Sequence, residues 1–442
     1  MKKYLVVVMG VLFVLSFAAS AFAIHAEIPS ETQAVVAKGT TQVNIGGDIR
    51  FRGAIRNNTS DFNSDKSDHA AYYDTRVRLS VEAKVSPNTI GKIHLESGTT
   101  DNNDIDIWGA GTAIGPNGQT ISTSDAKGTY RNGNSKIGDV TILEAWIQHS
   151  GSGLLGIPAY AKVGHMPITV GKGLFLDHSK YGDDAILLGG SPMKGMEITL
   201  AAVKARESNV NLSDDADVYA LLFNYAFDKN GAIGADVSYL NDQQFPQGLA
   251  PSDLAAHFWN VGVNGNYDFG ILVLRGDFAV QFGELQNDGG DSPNFEGWAG
   301  VLGVDFKLGD VKLVFEGAYG SGQKLTDDDV KTFVTSQSNV QHYTFVYDYL
   351  TVNAANNPQG GLQNTWYLKL GGSYDISKEF NILANAYYLQ SVKKIDSATV
   401  GGVTVNNYGF AHSSNSHNIG FEVDAKATWK IDRNLTWWVE GG

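Results

Sequence analysis

The stretch from residue 42 to residue 56 limits what this chain can become more than any other. It reads Gln-Val-Asn-Ile-Gly-Gly-Asp-Ile-Arg-Phe-Arg-Gly-Ala-Ile-Arg. Val43, Ile45, Gly47, Ile49, Phe51, Gly53 and Ile55 are apolar or small, and the intervening positions carry Gln42, Asn44, Asp48, Arg50, Arg52 and Arg56. A period of two over this length means a strand with one greasy face and one charged face. In a soluble sheet the greasy face meets a core and the charges meet water. In an outer-membrane barrel the greasy face meets lipid and the charges line a pore.

The same pattern recurs down the chain. Tyr73, Thr75, Val77, Leu79, Val81, Ala83 and Val85 oppose Asp74, Arg76, Arg78, Ser80, Glu82 and Lys84. Ile93 and Leu95 oppose Lys92, His94 and Glu96, and further alternating runs follow to the end of the sequence. The connections between runs fall into two kinds. Short turns stand near 86–88, 228–231, 268–271, 308–311, 375–379 and 431–434. Long polar loops stand near 57–70, 99–139, 242–256, 320–361 and 393–416. A barrel with one end in the periplasm and the other outside sorts its connections in this way. Aromatics near the ends of apolar faces, among them Tyr267, Phe269, Trp366, Tyr374 and Trp429, fit interfacial girdles.

Export is written at the start of the chain. Lys2 and Lys3 precede an apolar run from Tyr4 to Phe17, and Ala21-Phe22-Ala23 supplies a small-x-small cleavage site. Residues 1–23 are therefore read as a signal peptide and 24–40 as a periplasmic lead. The whole of 41–442 is read as one transmembrane barrel in the outer membrane of a Gram-negative bacterium. The sequence has no cysteine, so neither disulfides nor a Cys-x-x-Cys-His haem attachment is available. Without Lys2 and Lys3 there remain 31 basic against 47 acidic residues, a balance that disfavours nucleic acid. Glycine, at 51 of 442 residues, exceeds the ordinary share of roughly 7%.

Sixteen full runs can be counted, and Leu435 to Glu440 begins another. An ascending strand needs a descending partner to close a barrel. The expectation is an all-β, antiparallel transmembrane barrel of about eighteen strands, with sixteen as the alternative, and a chain that lacks its last strand.

Strand faces then assign the pore. Asp48, Arg50, Arg52, Asp74, Arg76, Arg78, Glu82, Lys92 and Glu96 are the predicted lining. Neighbouring strands lie roughly 4.8 Å apart, so the four arginines would form a ladder on one wall. Such a ladder either sets a transverse field for permeating ions or is salt-bridged and braces the barrel. The stretch Gly164 to Ala185 breaks the alternation, and its glycines at 171, 173 and 182 permit unusual backbone angles. It is predicted to fold into the lumen, with Lys172, Asp177, His178 and Lys180 at the narrowest point. Asp327-Asp328-Asp329 lacks the ligand spacing of a known calcium loop, and His165 and His178 lack metal-site companions. No nucleophile–base arrangement, phosphate-cradling loop or zinc spacing is present, so neither an enzyme nor a cofactor is expected.

Asn44-Ile-Gly-Gly-Asp-Ile-Arg-Phe-Arg-Gly53, Asp74-Thr-Arg-Val-Arg-Leu79, Leu143-Glu-Ala-Trp-Ile147 and the segment from Gly164 to Leu187 together resemble outer-membrane channel proteins of Geobacter-like bacteria. Those are similar to the alginate-export barrel superfamily. The resemblance implies an eighteen-stranded barrel narrowed by inward loops. This chain has Gly164-His165 where that family often has Gly-Arg, which, with the acidic balance, argues against export of a polyanion. The expected function is a porin for small hydrophilic solutes and ions, in contact with outer-membrane lipid and open to homo-oligomerisation. The rivals are a polysaccharide exporter and a barrel that sheathes a multihaem cytochrome.

Overall fold

A computed structural model describes residues 41–56, 70–97, 113–114, 120–121, 140–153, 156–207, 215–243, 254–287, 292–324, 326–335, 344–346, 361–394, 397–400, 403–406 and 416–442. Residues 1–40, read from sequence as a signal peptide and a periplasmic lead, lie outside these residues. The strands in chain order are β1 (Gln42–Arg56), β2 (Ala70–Ser86), β3 (Thr89–Ser97), β4 (Ala113–Ile114), β5 (Thr120–Ile121), β6 (Val140–Ser152), β7 (Pro158–Val170) and β8 (Leu176–Gly190). They continue with β9 (Met196–Arg206), β10 (Ala216–Ala226), β11 (Gly231–Asp242), β12 (Leu254–Asp268), β13 (Leu272–Asn287), β14 (Asn294–Phe295) and β15 (Trp298–Leu308). The last are β16 (Val311–Gly320), β17 (Thr365–Asp375), β18 (Phe380–Ser391), β19 (Ser397–Val400), β20 (Val403–Asn406), β21 (Asn418–Lys430) and β22 (Thr436–Gly441).

Apart from the two-stranded ribbons β4–β5 and β19–β20, the strands form one 18-stranded sheet. Seventeen of these are long strands, each paired antiparallel with the next in the chain, and the two-residue β14 pairs on β13 beside β15. Among the described residues no ladder joins β1 to β22, so the sheet is open between them.

The short connections share one end of the sheet and close by side-chain chemistry. Asp228 Oδ1 accepts the Asn230 and Gly231 amides at 2.7 and 2.8 Å. Asp432 does the same for Asn434 and Leu435 at 2.7 and 2.9 Å. Such Asx turns stand in for a backbone turn and need few residues. At the Gly309 turn the backbone takes φ +66°, a region glycine enters without steric cost.

The apolar faces point outward. Ile49 is 77% exposed and Phe421 81%, and Leu79, Phe278, Leu302 and Leu368 are exposed as well. Aromatic contacts gather on this outer face, with Trp298 and Tyr319 stacked at 4.5 Å and Tyr267 and Phe269 in contact at 4.5 Å. Buried apolar side chains such as Phe175, Phe258, Phe295 and Phe333 belong to the inside of the sheet and to segments folded into it.

Two local readings change. In β6 the sequence sets Leu143, Ala145 and Ile147 against Glu144, Trp146 and Gln148, but Leu143 does not share the outward face of Ile147. The ladder shifts register between His94 and Leu95, so Ile142 stands exposed and Leu143 is buried. The stretch Gly164 to Ala185 is not irregular, since most of it is the paired upper part of the β7–β8 hairpin. A register shift between Met166 and Ile168 interrupts that pairing, opposite a turn of the chain where Gly182 has φ +71°. One residue on β7 there faces four on β8, a shift of three, and an odd shift exchanges the faces of β8, which is why the pattern breaks there. The seventeen long strands among the described residues match the sixteen full runs and the one begun at Leu435.

Candidate functional site: the lumen

On the wall built by β1, β2 and β3, antiparallel register decides which charges meet. Arg50 stands opposite Arg76, Asp48 opposite Arg78, Arg52 opposite Asp74, and Glu82 opposite Lys92. Like charges directly opposed repel, and the carboxylates relieve this diagonally. Arg76 binds Asp48 at 2.8 Å and lies 3.9 Å from Glu96, and Arg78 binds Glu96 at 2.5 Å. Glu96 is only 2% exposed, so its charge depends on those two arginines. The wall continues on β6, where Glu144 accepts from Lys92 at 2.6 Å, Trp146 Nε1 at 2.8 Å and His94 Nδ1 at 3.1 Å. The Lys162 ammonium lies 3.9 Å from the centre of the Trp146 ring, a cation–π distance.

A second charged wall spans β13 to β17. Arg275 binds Asp305 and Glu316, each at 2.5 Å, and Lys312 adds to Asp305 at 2.7 Å. The Tyr367 hydroxyl donates to Glu316 at 2.8 Å. None of these residues belongs to the predicted lining, although the alternation in β13, β15 and β16 already marks Arg275, Asp305 and Glu316 as the polar face.

Two segments turn into the interior. The tip of the β7–β8 hairpin reaches the wall at β11 to β13. A side chain at Gly171 would stand 2.9 Å from Asp236 Oδ1, and the Lys172 amide bonds to the Asp277 carboxylate. Behind the tip, Phe175 packs edge-on to Phe258 at 5.9 Å, and Phe258 contacts Phe295 at 4.5 Å. Of the residues predicted for the narrowest point, Lys172 is at this tip. Asp177 accepts the Ser179 amide at 3.1 Å and the Thr169 hydroxyl at 3.3 Å. His178 is buried against Asp183 at 2.7 Å. The Lys180 side chain lies outside the described residues.

The second inward segment leaves β16, where the sequence predicts a long polar loop. Val330 pairs with Phe295 in a parallel bridge, and Phe333 and Val334 are buried. Farther on, the Phe345 and Val346 amides donate to Asp424 at 3.3 Å and Glu422 at 2.7 Å. The segment thus touches the wall at β13–β14 and again at β21. Its sequence signal was present: Val330, Phe333, Val334, Phe345 and Val346 are more apolar than a solvated loop needs.

The run Asp327-Asp328-Asp329 is partly spent on its own backbone. Asp327 accepts the Lys324 amide at 2.7 Å, and Asp329 accepts the Asn294 amide at 2.9 Å and its Nδ2 at 3.1 Å. These donors hold both carboxyls below the usual aspartate range. Among the described residues no group of three or more His, Cys, Asp or Glu is placed to hold a metal.

No family model and no curated protein sequence matches this chain. Solved structures do. OccAB2 of Acinetobacter baumannii aligns with a TM-score of 0.50 at 10% identity, over 90% of each chain. OccK7 (OpdD) of Pseudomonas aeruginosa aligns at 0.48 with 10% identity over 92% of this chain and 93% of its own. An anion-selective porin of Comamonas acidovorans aligns at 0.45 with 10% identity over 88% and 97%. At such identity the first likeness shows a shared barrel fold alone, and at their TM-scores the other two carry no argument.

Proposed function

We propose that this chain is an outer-membrane porin through which small hydrophilic solutes and ions diffuse passively. One observation carries the reading: the two faces of the sheet reverse the polarity of a soluble fold. Large apolar side chains cover the outside, while ion-paired charges and two folded segments occupy the inside. Hydrocarbon around the barrel and water within it satisfy both faces at once. Asp48, Arg50, Arg52, Asp74, Arg76, Arg78, Glu82, Lys92 and Glu96 line one side of the pore in this reading, and Lys172 stands where it narrows. Sixteen antiparallel steps leave β1 and β22 running the same way, so one strand of opposite sense between their free edges makes an eighteen-stranded barrel. The inward segments favour a solute-sized bore over a sheath for another protein. The route needs no chemistry and no energy input.

The test is single-channel recording from refolded protein in a planar bilayer, with reversal potentials across a salt gradient. Discrete conductance steps are expected, and their absence from inserted protein rejects the porin.

A further inference from the structure

Gln281 lies on β13, points inside and is 3% exposed. Its carboxamide meets one residue of the second inward segment twice. Oε1 accepts the Val334 amide at 2.8 Å, and Nε2 donates to the Val334 carbonyl at 2.5 Å. A primary amide offers the donor and acceptor pair of a peptide group, so Gln281 binds Val334 as a neighbouring strand would. The approach of the chain on either side is prepared. Val330 exchanges bonds with β14, its amide to Asn294 at 2.8 Å and its carbonyl from Glu296 at 2.9 Å. Between Val330 and Val334 the backbone presses on Gly297, where a Cβ would sit 2.6 Å from the Thr332 carbonyl oxygen.

We propose that Gln281 is the positioning residue that holds segment 330–335 inside the barrel and so sets the bore; this rests on the porin reading. The sheet itself does not need this side chain, since β13 is fixed by its ladders to β12 and β15. Val334 does need it, because a buried peptide group without a partner is strongly disfavoured. Gln281 Nε2 also lies 3.5 Å from Asn260 Oδ1, and Asn260 Nδ2 donates to Asp236 at 3.3 Å, beneath the Gly171 tip. Release at Gln281 is therefore expected to loosen both inward segments.

The sequence has no cysteine, which permits a clean test in the full chain. Gln281→Met keeps the volume and removes both bonds, and Gln281→Ala removes the side chain. Each is expected to raise single-channel conductance roughly two-fold, with added open-channel noise and weaker ion selectivity. Adding Phe295→Cys and Val330→Cys to the Gln281→Met chain places a disulfide at the parallel bridge. Oxidation is then expected to restore the parental step, and a reductant to undo it. A Gln281→Met channel with parental step and noise overturns the proposal, as does an oxidised tether that restores nothing. Should Gln281→Ala fail to insert, the Met comparison decides alone; should neither single variant insert, the sheet needs this side chain and the proposal falls. Absence of steps from the parent chain sinks the porin reading instead, whereas a conducting parent with unaltered variants sinks only the positioning role.

Discussion

At the scale of single residues, position relative to the bilayer decides what a substitution costs. Leu79 is exposed on the outer face near the middle of β2. Leu79→Arg is expected to cost about 2–4 kcal/mol in denaturant-unfolding measurements in bilayers. Arg78, its chain neighbour, points inside and is bonded to a carboxylate that water scarcely reaches. From sequence alone its replacement should mainly alter selectivity. With Glu96 buried, Arg78→Leu is expected to cost about 1–3 kcal/mol as well, with Arg76 at 3.9 Å softening the loss. Glu96→Gln in the same chain should recover part of it, which a double-mutant cycle reads directly. Asp329 gives a pH signature. Its folded carboxyl lies below the usual range, so its tether to Asn294 is in full force above the unfolded value of about 3.9 and is lost as pH falls through the lower, folded one. Channel noise from this tether should be flat between roughly pH 5 and 8 and rise only below about pH 4, while Asp329→Asn removes that acid step.

At the scale of elements, alternation is legible where a strand is regular and lost where it bulges. β13 has no shift in its ladders to β12 and β15, and the one shift in the β2–β3 ladder falls at the end of β2, between Lys84 and Ser86, so Arg78 and Asp277 can be placed by counting. β6 and the β7–β8 hairpin do not, since each carries a register shift that moves every later side chain to the other face. Gly164 shows what holds such a place together. At φ +123° it lets β7 close on β6, where a Cβ would stand 2.2 Å from the Ala145 carbonyl oxygen. Gly164→Ala is expected to destabilise by about 1–3 kcal/mol, seen as a lower midpoint of heat-induced mobility shift on gels, whereas Gly156→Ala, at a turn with nothing within 4 Å, should shift it less.

At the scale of the molecule, the interior is asymmetric. The inward segments lie against the wall from β11 to β21, so the arginine-bearing wall of β1 to β3 borders the remaining space. A neutralised ladder differs from a bare one: Arg76 and Arg78 are committed to Asp48 and Glu96. Replacing Asp48 by Asn frees Arg76 from its 2.8 Å partner and is expected to move the reversal potential toward anions in a salt gradient, with little change in conductance. An unchanged reversal potential would place this wall away from the ion path.

The order of amino acids determined the strands, their apolar and polar faces and the end at which the chain turns quickly, because each follows from a period of two and from local turn chemistry. It also marked Arg50, Arg52, Arg76 and Arg78 as neighbours on one wall, since adjacent strands with the same facing bring them together. What it left open was which carboxylate each arginine takes, and that the connection after β16 turns inward. Those were decided by groups distant in the chain: a glutamine amide on β13 for Val334, a carboxylate pair on β21 for Phe345 and Val346, and a glycine at 297 that leaves room for the backbone. Contacts of that kind exist only once the sheet has curled.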